Sequence, residues 1–147
     1  MKFGKRIESV PHLKDVLEVV LAFIIAWVFY QGLAAATGTP MPIVSVVSES
    51  MEPILHRGDL VFVVRADDLK IGDIVIYQSR HDPKTIIHRV VEKREDGYIT
   101  QGDNRRTNPT SDLDLQGVIT PNRIGGKLVF AVPLLGYPRL ALYAIGI

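Results

Sequence analysis

The chain has 147 residues, no cysteine, and 17 basic against 16 acidic side chains, for a net charge of +1. That length suits one domain plus an appendage. The near-neutral charge supplies no field for nucleic acid, and the missing cysteine excludes disulfides, thiol catalysis and cysteine-ligated zinc. Hydrophobic residues reach 47% beside 22% charged ones, which points to a concentrated apolar segment.

Residues 1–15 carry Lys2, Lys5, Arg6 and Lys14 against Glu8 and Asp15, and read as a cytoplasmic segment. Residues 16–36 are nearly all apolar, interrupted by Glu18, Gln31 and Gly32. About 20 helical residues span a bilayer core, so this stretch is long enough for a transmembrane anchor. Trp27 and Tyr30 fall toward the outer half, where amphipathic rings favour the headgroup level. The basic flank places the N-terminus in the cytoplasm and everything after Ala36 outside it. A signal peptide cleaved after Ala34-Ala35-Ala36 is one rival reading, and a buried helix of a soluble protein is another. A front region of mixed charge speaks against the first, and the lack of a polar face speaks against the second.

Residues 37–42 form a linker in which Gly38, Pro40 and Pro42 break the helix. The rest reads as mostly β. Residues 43–47, 59–65 and 73–78 are apolar runs rich in β-branched side chains. The second and third follow Gly58-Asp59 and Gly72-Asp73, which look like paired turns with each aspartate capping its own. Residues 85–95 and 98–101 flank Asp96-Gly97, a hairpin signal. Short strands are also expected at 118–119 and 127–132. The expected fold is therefore mainly β, an N-terminal transmembrane helix followed by a twisted, β-barrel-like extracytoplasmic domain over residues 43–132. The apolar tail, 133–147, contains Pro133, Gly136 and Pro138 and is too short after Pro138 to cross a bilayer, which leaves three readings open: docking on the domain, lying in the membrane interface, or starting a truncated helix.

The chemistry centres on Ser48-Glu49-Ser50-Met51-Glu52-Pro53, directly after the first strand. Pro53 cannot extend a sheet ladder, so a serine here stands at a turn, accessible and close to unpaired backbone N–H groups. The plainer reading is that Ser48 and Ser50 cap a helical turn. Of four histidines, His12 lies on the cytoplasmic side of the anchor, His56 follows the serine turn and His81 sits in a polar loop. His88 lies inside a strand, sharing a face with Ile86 and Val90. A strand histidine is commonly a satisfied core group. Beside an exposed serine it becomes a general base, because imidazole titrates near neutrality. A polar loop at 101–114 holds Asp103, Asp112 and Asp114, any of which could orient the imidazole, unless the loop is simply solvated.

As an ordered set, these segments resemble the type I signal peptidases of the archaeal and endoplasmic-reticulum branch. The resemblance rests on the anchor, Ser50-Met51-Glu52-Pro53, His56-Arg57-Gly58-Asp59-Leu60, Gly72-Asp73, His88-Arg89-Val90 and Gly102-Asp103-Asn104 with a further aspartate beyond. It covers the chain from the anchor to about Gly126. Bacterial relatives carry lysine where this chain has His88. The resemblance implies Ser50 as nucleophile, His88 as base and Asp112 as the acid that completes the set. Asp114 is then the alternate, Asp103 supports the site from its turn, and the Ser48 hydroxyl and Ser50 N–H are oxyanion donors. The family often has glycine between the two serines, and Glu49 departs from that.

It further implies a membrane-bound serine endopeptidase that removes signal peptides from secretory preproteins through an acyl-enzyme, with no metal or cofactor. Its partners would be signal peptides, the lipid bilayer and a protein-translocation channel, in a cell membrane or, in a eukaryote, that of the endoplasmic reticulum. Three other readings differ in class. A self-cleaving Ser-Lys regulatory protease would need Lys84 or Lys93 as base. A non-catalytic anchored β-domain would act as a scaffold subunit, and a secreted β-domain would be released after Ala36.

Overall fold

A computed structural model describes residues 11–136. The chain divides into two compact units, Met1–Leu33 and Ala34–Ile147. The described part of the first is one α-helix, α1, which spans Pro11–Thr37 and so runs a few residues into the second. Pro11 takes the first helical position, where its missing N–H breaks no internal bond. At a rise of about 1.5 Å per residue, its 27 residues reach about 40 Å, more than a bilayer core needs. His12–Thr37 is long and apolar enough to cross a membrane, and its apolar window is wholly exposed. Phe23, Trp27 and Phe29 are each more than 60% exposed. A core helix of a soluble domain would bury those rings, so this exposure speaks against the buried-helix alternative.

The second unit is built on a six-stranded antiparallel sheet in the order β1-β2-β6-β3-β4-β5. Its strands are β1 (Ile43–Ser45), β2 (Leu60–Val64), β3 (Ile74–Gln78), β4 (Thr85–Arg94), β5 (Gly97–Gln101) and β6 (Ile124–Val132). A four-residue helix, α2 (Leu113–Gln116), and a 3-10 turn at Pro121–Arg123 lie between β5 and β6. The sheet is open, with β1 and β5 at its edges, so "barrel-like" holds only loosely. The first strand stops at Ser45, short of the expected residue 47, and the expected strand at 118–119 is reduced to a single bridge, Tyr98 to Ile119. Pro133–Gly136 of the tail form a turn, whereas 137–147 lie outside the described residues, as do 1–10.

The two Gly-Asp entries build the same turn twice. Gly58 and Gly72 both have φ of 98°, a left-handed conformation that favours glycine. Asp59 Oδ2 accepts the His56 N–H at 2.8 Å, and Asp73 Oδ2 accepts the Lys70 N–H at 3.0 Å. Each aspartate therefore caps the turn that launches its strand, as expected. The continuous apolar run in β3 has an equally direct cause. Ile74 and Ile76 pack into one cluster with Val46, Met51, Leu55, Val61 and Val63, while Val75 and Tyr77 pack into another with Leu69, Val90, Tyr98 and Ile119. A central strand covered on both faces has no polar side to show.

Candidate active site

After β1 the chain stays pinned, because the Val46 N–H donates to Asp59 O and Val46 O accepts the Gly58 N–H, both at 2.9 Å. It then folds into turns in which Glu52 N–H meets Glu49 O, and both Ile54 and Leu55 N–H meet Met51 O. Met51 and Leu55 are buried in the first cluster, 1% and 2% exposed. Burying a methionine side chain stabilises by about 1.5–3 kcal/mol, so Met51 holds its neighbour Ser50 firmly at the half-buried surface. The Ser48 and Ser50 hydroxyls are 3.0 Å apart and bond each other. Among the described residues neither caps a backbone N–H, so the capping alternative has no support in this geometry. The Ser50 N–H has no acceptor among the described residues, the condition an oxyanion donor requires.

His88 lies at the centre of β4, 7% exposed. Its Nδ1 lies 2.6 Å from Asp112 Oδ2. The same carboxylate oxygen accepts the Thr100 hydroxyl at 2.6 Å and the Tyr77 hydroxyl at 3.0 Å. Burial pushes the Asp112 carboxyl up. The His88 hydrogen bond, the His88 charge and the two hydroxyls outweigh burial and hold it below the usual carboxylate range. Burial chiefly drives the Tyr77 phenol the other way, upward, so it remains a donor. An ionised carboxylate at Nδ1 accepts a hydrogen bond from the Nδ1–H, which keeps the proton there and leaves the lone pair on Nε2. The ring is thus set to take a proton on the side away from Asp112.

The three candidate aspartates have separate places. Asp112, just before α2, meets His88. Asp103 instead forms a two-pronged pair with Arg89, Nε to Oδ1 at 2.9 Å and Nη2 to Oδ2 at 2.6 Å, while Arg89 Nη1 donates to Gly72 O at 2.7 Å. That pair raises the Arg89 guanidinium further and fixes the Gly102-Asp103-Asn104 turn to β4. Asp114 is exposed on α2, and its carboxylate makes no hydrogen bond or ion pair with a histidine or serine among the described residues.

The same turn holds the serine segment. Asn104 N–H donates to Ser50 O and Asn104 Nδ2 to Glu49 O, both at 2.9 Å. A side chain at Gly102 would place its Cβ 2.6 Å from Ser50 O and 2.5 Å from Asn108 Nδ2, so only glycine allows this approach. Gln101, next to Gly102, pairs across the sheet with Arg89, the residue after His88. Serine turn, histidine and acid loop are thereby tied to one end of β4 and β5.

Sequence patterning did not single out Tyr77 and Thr100, which sit in apolar runs without any cue of their own. Arg89 and Asn104 were visible as motif members but had no stated task. The lysine alternatives fare differently. Lys93 is exposed and bonded to Asp68 at 2.7 Å, a pairing that raises its ammonium and makes it a poorer base. Lys84 is exposed in the loop between β3 and β4. His56 is exposed, and His81 Nε2 lies 2.9 Å from Leu115 O. Among the described residues no group of three or more His, Asp or Glu side chains could hold a metal ion.

Comparison with known proteins finds relatives over most of the chain. The model for the Peptidase S24-like family matches residues 2–119. The chain is 37% identical over 137 residues to "Signal peptidase complex catalytic subunit sec11" of Pyrenophora teres f. teres, covering 87% of this chain and 79% of that protein. The protein of the same name in Sclerotinia sclerotiorum is 36% identical over 139 residues, with the same shares covered. "Signal peptidase complex catalytic subunit SEC11" of Pyricularia oryzae is 34% identical over 139 residues, again with 87% and 79% covered.

Proposed function

The chain belongs to the Peptidase S24-like family and, within it, to the type I signal peptidases of the archaeal and endoplasmic-reticulum branch; from that membership we propose that it is a membrane-anchored serine endopeptidase that removes signal peptides from secretory preproteins. The observation that carries the reading is the buried His88–Asp112 pair, whose carboxylate is ionised and saturated with donors at the face where Nδ1 meets it.

In this mechanism His88 Nε2 takes the Ser50 proton as the hydroxyl oxygen attacks the scissile carbonyl. The Ser50 N–H, joined by the Ser48 hydroxyl, receives the developing negative charge. The Ser48–Ser50 hydrogen bond of the resting structure gives way when Ser50 turns to His88. His88 then hands its proton to the leaving amine, and the signal peptide's new carboxyl end remains esterified to Ser50. A water that gives its proton to His88 hydrolyses this ester, which restores the serine. Asp112 stays ionised throughout and stabilises the imidazolium in both halves.

The substrate is an extended segment that adds as a strand to the sheet edge at β1, a recognition mode in which backbone bonds supply affinity. Small side chains at the −1 and −3 positions fit shallow apolar pockets near the serine turn. The helix α1 confines enzyme and preprotein to one plane, with the N-terminus cytoplasmic and the catalytic unit outside. The fungal relatives are named as subunits of a complex, and this chain is proposed to act in a comparable membrane assembly beside the translocation channel.

Trapping the intermediate tests the reading. The full chain in detergent is mixed with a signal-peptide substrate, quenched in acid and digested. Mass spectrometry should then find the acyl group on the peptide that contains Ser50, and none in Ser50→Ala. An acyl group on another residue, or cleavage unaffected by Ser50→Ala, would overturn it.

A further inference from the structure

Asp112 belongs to no strand. It precedes a helix of four residues, yet its Oδ2 receives a donor from each of three adjacent strands: Tyr77 on β3, His88 on β4 and Thr100 on β5. Register produces this convergence. Val75 pairs with His88 and Val90 with Thr100, so Val75, Tyr77, His88, Val90 and Thr100 all stand on one face of the sheet. Thr100 holds Asp112 twice, because Thr100 O also accepts the Asp112 N–H at 2.8 Å. Both hydroxyl residues are 0% exposed, so no bulk water competes for their protons. The two hydroxyls are 3.1 Å apart, but threonine has one proton, and its shorter contact is to the carboxylate.

Without these anchors a carboxylate on a loop can rotate and offer either oxygen, or none. The imidazole would then populate both neutral tautomers, and the one protonated at Nε2 cannot accept a proton from serine. The other charged groups nearby do not do this work. Arg123 stands over the Tyr77 ring, 5.9 Å from its centroid, with its guanidinium bonded to Gln116 O and Gln78 O, and Arg89 on the opposite face of β4 is taken up by Asp103.

We propose that Tyr77 and Thr100 are positioning residues for the reaction: their hydroxyls seat Asp112 Oδ2 against His88 Nδ1, which keeps the proton on Nδ1 and the lone pair on Nε2. The catalytic consequence rests on the Ser50–His88 reading above, whereas the tautomer does not.

The test uses the full chain in detergent micelles with ¹⁵N-labelled histidine, comparing wild type with Thr100→Val, Tyr77→Phe, the double variant and Thr100→Ser. Above the titration of imidazole, wild type should show His88 ring ¹⁵N shifts of a single Nδ1–H tautomer. Thr100→Val should mix the tautomers and lower kcat about tenfold at nearly constant KM, the effect of losing one hydrogen bond to a charged acceptor. Tyr77→Phe should lose about threefold, because its bond is the longer one. Thr100→Ser should recover most of the loss. A double variant that melts like wild type and keeps both its tautomer and its kcat overturns the proposal. Mixed tautomers with unchanged kcat overturn its catalytic half. If the tautomers mix but His88→Ala cuts substrate at the wild-type rate, the serine–histidine reading fails while the seating of Asp112 stands.

Discussion

Asp112→Asn removes one charge and leaves the side chain's shape unchanged, so its effects can be worked from the three bonds to Oδ2. A hydrogen bond to a charged acceptor contributes about 1.5–3 kcal/mol, and one to a neutral acceptor about 0.5–1.5. The difference is about 1 kcal/mol per bond, or about 3 kcal/mol over the three donors. That should lower the melting temperature of the β-unit by roughly 10 °C. The catalytic loss should be larger still. With its oxygen kept toward the three donors, the amide leaves no negative charge to stabilise the imidazolium. A fall in kcat of about 10³–10⁴ is expected, or about 4–5.5 kcal/mol of barrier. The pH dependence follows with a definite sign. The Asp112 carboxyl is held below its ordinary value of 3.8, so its contribution to stability is fully present above that value. It is lost as pH falls through the lower folded value. Wild type should therefore lose stability more steeply than the asparagine variant in acid, which thermal melts in a pH series below about 4 would read. Peptide cleavage within about threefold of wild type, with an unchanged melt, would refute this reasoning.

Gly102→Ala drives a Cβ into Ser50 O and should lower kcat about tenfold or more, with the peptide-cleavage assay as readout. Arg89→Lys keeps the charge but loses the two-pronged geometry to Asp103 and the bond to Gly72 O. It should destabilise by about 1–2 kcal/mol in urea melts, discounted for partial exposure of the guanidinium. Met51→Ala should cost about 2–4 kcal/mol of stability by the same method, because it empties a site at the centre of the first core cluster. Lys93→Met removes an exposed pair with Asp68 and a cation–π contact over the Tyr98 ring at 5.8 Å, so the melting temperature should fall only slightly and the cleavage rate should stay at the wild-type value.

Much of the β-unit was legible because its strands obey local rules. Gly58-Asp59 and Gly72-Asp73 announced their turns, and Asp96-Gly97 announced the hairpin that joins β4 to β5. The helix was legible because a bilayer demands length and apolarity at once, and α1 has both. Strand order was not legible. β6 inserts between β2 and β3, a long-range pairing that no local period records. The overlong reading of β1 has a physical cause, since Val46 and Val47 suit a strand but Val46 bonds instead to the turn at Asp59. In the site, Ser50 and His88 could be picked from residue type and motif order. The resemblance already favoured Asp112 among the three aspartates, and what the fold adds is the contacts, Asp103 taken by Arg89 and Asp112 beside His88. Tyr77 and Thr100 lay deeper still, since their polar atoms meet Asp112 only when three strands stand side by side.

The central claim is that Ser50 and His88 act as one unit, and cleavage of a model preprotein by the detergent-solubilised full chain tests it most directly. Wild type should cut after the small-residue site, Ser50→Ala and His88→Ala should each lose a thousandfold or more, roughly 4 kcal/mol of barrier, and the double variant should lose little beyond either. A folded His88→Ala variant that cuts at near the wild-type rate would contradict the account and return the search for a base to Lys84 and Lys93.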